Sequence, residues 1–207
     1  PVWACIVAMV VLIPLVFNLW YIEQYDTIKY GLTILLTAAA YWYTFRAGVW
    51  SATGSARQYK TAILLAGLFL GWSLLVTICA FDSLYAVVGF YNRLSNSFLF
   101  HGAFVGVLLL GVGFTLVQRK VLLQAAASAA ILASVWSILQ TIGFGYYDSN
   151  ALLEWYRAPG LFGNPNFASM YFVVLLPFAL WLAIAAETAR GRVWYGVGSF
   201  LLVLGII

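Results

Sequence analysis

Residues 157–172 read RAPGLFGNPNFASMYF and stand directly before a long apolar run. The segment sets Arg157, Gly160, Gly163, Asn164, Pro165 and Asn166 at the mouth of a hydrophobic helix. Asn164 precedes a proline and is pushed toward an extended conformation. Asn166 is placed to cap the helix expected from Phe167. Gly160 and Gly163 permit a tight backbone approach. Arginine presents a planar fork that fits phosphate oxygens, and a helix N-terminus favours an anion through its free N–H groups and dipole. Together these residue types describe a phosphate cradle.

The elements that must hold such a cradle follow from composition. The chain has 207 residues, 65% hydrophobic and 8% charged, with a mean hydropathy of +0.99. Soluble domains carry about a quarter charged residues. A helix crossing the hydrocarbon core needs about 20 mostly apolar residues, because each backbone polar group must find its partner inside the segment. The sequence therefore predicts an all-α, polytopic transmembrane helix bundle in one domain. Its spans lie at about 1–17, 28–46, 61–80, 98–117, 121–142, 167–186 and 193–207, five of them complete and two, the first and last, partial. The first run begins at Pro1 without a basic leader and the last stops without a polar flank, so a fragment of a larger protein is expected.

Charge sets the expected orientation. Arg46, Arg57, Lys60, Arg119, Lys120, Arg190 and Arg192 fall in alternate connections, whereas Lys29, Arg93 and Arg157 fall one each in the others. The positive-inside rule makes the first set cytoplasmic. It puts residues 18–27, 81–97 and 143–166 on the outer side, where loops of this length carry function. The turn at Gln118 to Lys120 is expected to close a tight hairpin. The net charge of +4 reflects this topology and implies no nucleic-acid partner.

Other features point to packing. GLFLG (Gly67 to Gly71) and GAFVG (Gly102 to Gly106) match the spacing that lets membrane helices approach closely. Pro14 and Pro177 are expected to kink their helices. The boundary aromatics Trp20, Tyr21, Tyr25, Trp155 and Tyr156 read as interfacial anchors. Cys5 and Cys79 sit at depths about 18 Å apart and are not expected to pair. His101 is the single histidine, and without a second histidine or a cysteine cluster no metal or cofactor is implied. Phosphate-loop, nucleophile-elbow and HExxH patterns are absent, and no charged residue occupies a span centre.

The pattern R-x-x-G-x-F/L-x-N-P-N followed by a membrane helix, here Arg157, Gly160, Phe162, Gly163, Asn164, Pro165 and Asn166, resembles the O-antigen ligase and O-antigen polymerase superfamily of bacterial envelope proteins. FDSLYAVVGFYNRLSNSF (81–98) is similar to an outer loop of that family through Gly89, Tyr91 and Arg93, but carries Leu94, Ser95 and Asn96 where the family often has a glycine. The resemblance implies the amino-terminal half of a multi-pass transferase in the bacterial cytoplasmic membrane. Such an enzyme moves a glycan from a polyprenyl-diphosphate carrier to an acceptor on the outer face. It further implies diphosphate binding by Arg157 and Arg93, with the catalytic residues beyond the fragment and the fragment inactive alone. Two alternatives stay open: a transport-related, bicarbonate-uptake-like relative, and a non-catalytic subunit of an envelope-synthesis complex.

Overall fold

The computed structural model of the protein describes residues 2–16, 26–46, 59–89, 97–144, 158 and 160–206. Among these the fold is all helical, with no strand. The helices are α1 (Val2–Leu15), α2 (Asp26–Arg46), α3 (Lys60–Ile78), α4 (Ser83–Val88), α5 (Phe98–Val112), α6 (Leu116–Thr141), α7 (Pro165–Ala185) and α8 (Ala189–Ile206).

Three of them, α3, α6 and α7, are long and apolar enough to cross a membrane. Their surfaces support that role. Leu64, Leu68, Trp72, Leu75 and Ile78 of α3 are exposed, as are Val173, Val174, Trp181 and Ile184 of α7, whereas much of the buried set on α6 is Ala127, Ala129, Ala130, Ala133, Ser134 and Ser137. Large apolar side chains outside and small ones inside are what lipid permits, since tails solvate leucine and helix packing rewards close approach.

The other expected spans differ from expectation for local reasons. α2 has 21 residues but carries Asp26, Lys29, Arg46 and four threonines. α1 has 14 residues and α5 has 15. α5 ends at Val112 rather than near residue 117, because Gly113 caps it and a new helix begins at Leu116. That start is a capping box. Thr115 Oγ1 accepts the Gln118 N–H at 3.3 Å, and Gln118 Oε1 accepts the Thr115 N–H at 2.9 Å. The turn therefore falls at Gly113–Thr115, and the expected turn residues Gln118 to Lys120 are already helical. Likewise α8 begins at Ala189, four residues ahead of the expected span, with Thr188 Oγ1 accepting the Gly191 N–H at 3.1 Å.

The chain divides into two compact units. The first holds α2 to α5 and the opening half of α1. Here Tyr41 Oη donates to the Gly106 carbonyl at 3.2 Å, and a Cβ at Gly106 would stand 2.8 Å from the Tyr41 ring. One glycine of the two small-residue pairs thus serves close packing inside the chain. Gly67, Gly71 and Gly102 have no such neighbour within 4 Å. The buried hydroxyls of Thr33, Thr37 and Thr44 donate to carbonyls four residues back, which satisfies them without a partner helix. Cys5 and Cys79 are both free thiols.

The second unit holds α7, α8, α6 from Lys120 onward and the end of α1. Its core gathers Ile131, Leu161, Phe172, Leu175, Leu182 and Leu202 with small alanines between them. α8 runs alongside α6. Trp194 Nε1 donates to Ser128 Oγ at 3.3 Å, Ile131 fills the space a Cβ would need at Gly198, and a Cβ at Gly205 would meet Ser134 at 3.0 Å. Contacts that advance together along both helices mean that α6 and α8 are parallel. Ser169 Oγ donates to the Ile206 carbonyl at 3.1 Å, so α7 and α8 are antiparallel.

Candidate functional site

The glycine-asparagine segment forms one turn seated at the start of α7. Gly160 has φ +61° and Gly163 φ +70°, a backbone region that side chains rarely adopt. Gly160 also lies against α6, where a Cβ would stand 2.5 Å from Ser137 Oγ. Between the two glycines, Leu161 is buried and the Phe162 ring packs 5.0 Å from Tyr171 and 6.2 Å from Phe172. These apolar anchors fasten the turn to α7.

The cap differs from the sequence expectation. Asn164, not Asn166, is the N-cap: it is extended at φ −146° and ψ 126°, and its side chain accepts the Asn166 N–H at 2.8 Å. Pro165 takes the first helical position, where its missing N–H costs nothing. Pro165 brings no donor and the Asn166 N–H is already engaged. The α7 terminus therefore has fewer N–H groups for an anion than the sequence suggested. The Asn166 side chain itself is exposed.

The turn brings together Gly160, Gly163, Asn164, Pro165 and Asn166. Arg157 and Arg93, and Tyr91 with it, lie outside the described residues.

The residues on either side of the Arg93 stretch are nonetheless described, and one tyrosine joins them. Tyr30 Oη of α2 donates to the Val88 carbonyl at 2.7 Å and accepts from Ser97 Oγ at 3.4 Å. Ser97 is fully buried and caps α5 by accepting the Phe100 N–H at 3.2 Å. On the near side Asp82 caps α4, and Gly89 ends it at φ +102°. Sequence reading missed Tyr30, because nothing local marks a tyrosine on α2 as the partner of residues 88 and 97. Ser97 carried a signal: a serine directly before an apolar run.

His101 sits in a packed, half-buried setting. Its Nδ1 lies 2.9 Å from Ser73 Oγ, and its ring meets Phe69 edge-on at 5.2 Å. Among the described residues no three His, Cys, Asp or Glu side chains gather into a metal-holding group.

Most polar groups within the spans are satisfied locally. Thr77, Ser134 and Ser137 donate to carbonyls of their own helices, and Ser128 accepts from Trp194. Gln140 differs: it is buried, and its Oε1 has no hydrogen-bond partner among the described residues. It stands one turn beyond Ser137 on α6, close to the face that the Gly160 turn covers.

At the opposite end of the helices, in the first unit, Arg119 donates to Tyr59 Oη at 3.0 Å and to the Val112 carbonyl at 3.2 Å. Lys120, in the second unit, pairs with Glu187 at 3.7 Å. No family model, curated protein or solved structure matches this chain.

Proposed function

We propose that the chain belongs to a membrane glycan transferase of the O-antigen ligase and polymerase type, acting on a polyprenyl-diphosphate-linked glycan at the outer face of the bacterial cytoplasmic membrane. The observation that carries the reading is the Gly160–Asn166 turn. It is held by two left-handed glycines and an Asn-Pro cap at the mouth of a membrane-length helix, three residues after an arginine.

In this account the chain crosses the membrane at all seven apolar runs, five complete and two partial, with residues 18–27, 81–97 and 143–166 outside. Arg157 binds the diphosphate and, with Arg93, stabilises the charge that builds on it as the glycosidic bond breaks. A diphosphate leaving group needs cationic stabilisation more than a proton donor, and guanidinium groups supply it. Pro165 has no N–H and the Asn166 N–H is engaged, which supports assigning this role to a side-chain cation, Arg157, over the helix terminus.

A transport-related relative would call for polar groups lining a path through the spans. The hydroxyls of Thr77, Ser134 and Ser137 are bonded within their own helices, which favours the transferase. The discriminating experiment replaces Arg157 with alanine in the full-length protein. Transfer is expected to fall by about a hundredfold or more, with lipid-linked donor accumulating. Intact transfer would point to a non-catalytic subunit, and lost bicarbonate uptake with intact transfer to a transporter.

A further inference from the structure

The second unit has a cleft of about 210 Å³ at the end opposite the Gly160 turn, between the start of α6, the end of α7 and the start of α8. Lys120 and Gln124 form one wall, and Glu187 and Thr188 the other. Tyr195 and Leu182 close the inner side. We propose that this cleft holds the headgroup of an amine-bearing, zwitterionic phospholipid, with the phosphate on Lys120 and the ammonium on Glu187.

Position is the first argument. α6 and α7 are both long and apolar enough to cross a membrane, and the cleft lies where one starts and the other ends. It therefore opens at the boundary between headgroups and hydrocarbon. On α7, Trp181 one turn before the lining residue Ala185, and Ile184 next to it in sequence, are exposed apolar side chains available to acyl chains.

Charge is the second. Lys120 Nζ lies 3.7 Å from Glu187 Oε1, and the two side chains are 45% and 88% exposed. A pair this open contributes little to stability and exchanges readily with an outside ion. A headgroup with a charge of each sign replaces one weak pair with two. A purely anionic headgroup would satisfy Lys120 but face the Glu187 carboxylate. Of the neighbouring donors, Arg192 Nε bonds the Ala186 carbonyl at 3.0 Å and the Gly191 N–H bonds Thr188 Oγ1. Among the residues that line the cleft Lys120 is the cation and Glu187 the carboxylate, so selectivity by charge rests on these two. The inference requires that α6 and α7 cross the bilayer, and it is independent of the transferase reading.

The test is native mass spectrometry of the 207-residue chain in detergent, titrated with phosphatidylethanolamine, phosphatidylglycerol or inorganic phosphate. Phosphatidylethanolamine is expected to be retained about tenfold more strongly than phosphatidylglycerol, and Lys120→Ala to lose about tenfold of that retention. Glu187→Gln should abolish the preference between the two lipids while phosphatidylglycerol still binds. Lys120→Arg should keep it, and unchanged helical circular dichroism shows that each variant is folded. Equal retention of both lipids by the wild-type chain overturns the proposal. So does displacement of lipid by inorganic phosphate alone, which would mark a free-phosphate site. Wild-type retention by Lys120→Ala/Glu187→Gln overturns it as well, because the bound lipid would then be a non-specific coat.

Discussion

Gly160 and Ser137 touch so closely that a single carbon added to the glycine would stand 2.5 Å from the serine Oγ. This contact ties the turn before α7 to α6. Gly160→Ala meets both a left-handed backbone and Ser137, and should cost about 1–3 kcal/mol. Gly71→Ala, in open space on α3, should change stability little or raise it by up to about 1 kcal/mol. Thermal unfolding of both variants in detergent checks the contrast.

Tyr30 fastens both sides of the stretch that contains Arg93. Tyr30→Phe keeps the ring stacked on Phe100 at 6.1 Å but loses the bond to the Val88 carbonyl and the acceptor for Ser97. A loss of about 1–2 kcal/mol is expected, together with faster hydrogen exchange in the first turn of α5. Unchanged exchange there would show that Ser97 holds its place without the tyrosine.

The capping box at Thr115 and Gln118 satisfies donors at the start of α6. Thr115→Ala and Gln118→Ala should each cost about 1 kcal/mol. Because the two bonds are reciprocal, the double variant should cost less than the sum of the single ones, as a double-mutant cycle reads directly.

Orientation can be read from Cys79, a free and exposed thiol just beyond α3. In intact cells carrying Cys5→Ser, a membrane-impermeant thiol reagent should label Cys79 from outside. With Cys79→Ser in place, a cysteine introduced at Gln118 should stay unlabelled. The reverse pattern would invert the proposed topology and move the Gly160 turn to the cytoplasmic face.

α3, α6 and α7 were legible in the sequence because each is dominated by an uninterrupted apolar run. Their boundaries were less so. A glycine inside an apolar run does not announce a stop, so Gly113 passed unnoticed, although the Thr115-to-Gln118 spacing carried the signal for a helix start. At α7 the preference of proline for the first helical position favours Asn164 over Asn166 as cap. Of the glycines of the site motif, Gly160 lies against Ser137, where only a residue without a Cβ fits, while Gly163 shows a left-handed backbone. Long-range partnerships had no local trace. Neither the Tyr30 link between Val88 and Ser97, nor the partnerless Oε1 of Gln140, nor the Lys120–Glu187 cleft can be read from spacing along the chain.

The most direct test of the proposed activity is glycan transfer by the full-length protein carrying Arg157→Lys. This change keeps the positive charge and removes the planar fork that grips two phosphate oxygens at once. If Arg157 binds the diphosphate, transfer should drop by about tenfold or more while the protein still accumulates in the membrane. Transfer at the wild-type rate would contradict the assignment of Arg157 to the diphosphate, and with it the central claim.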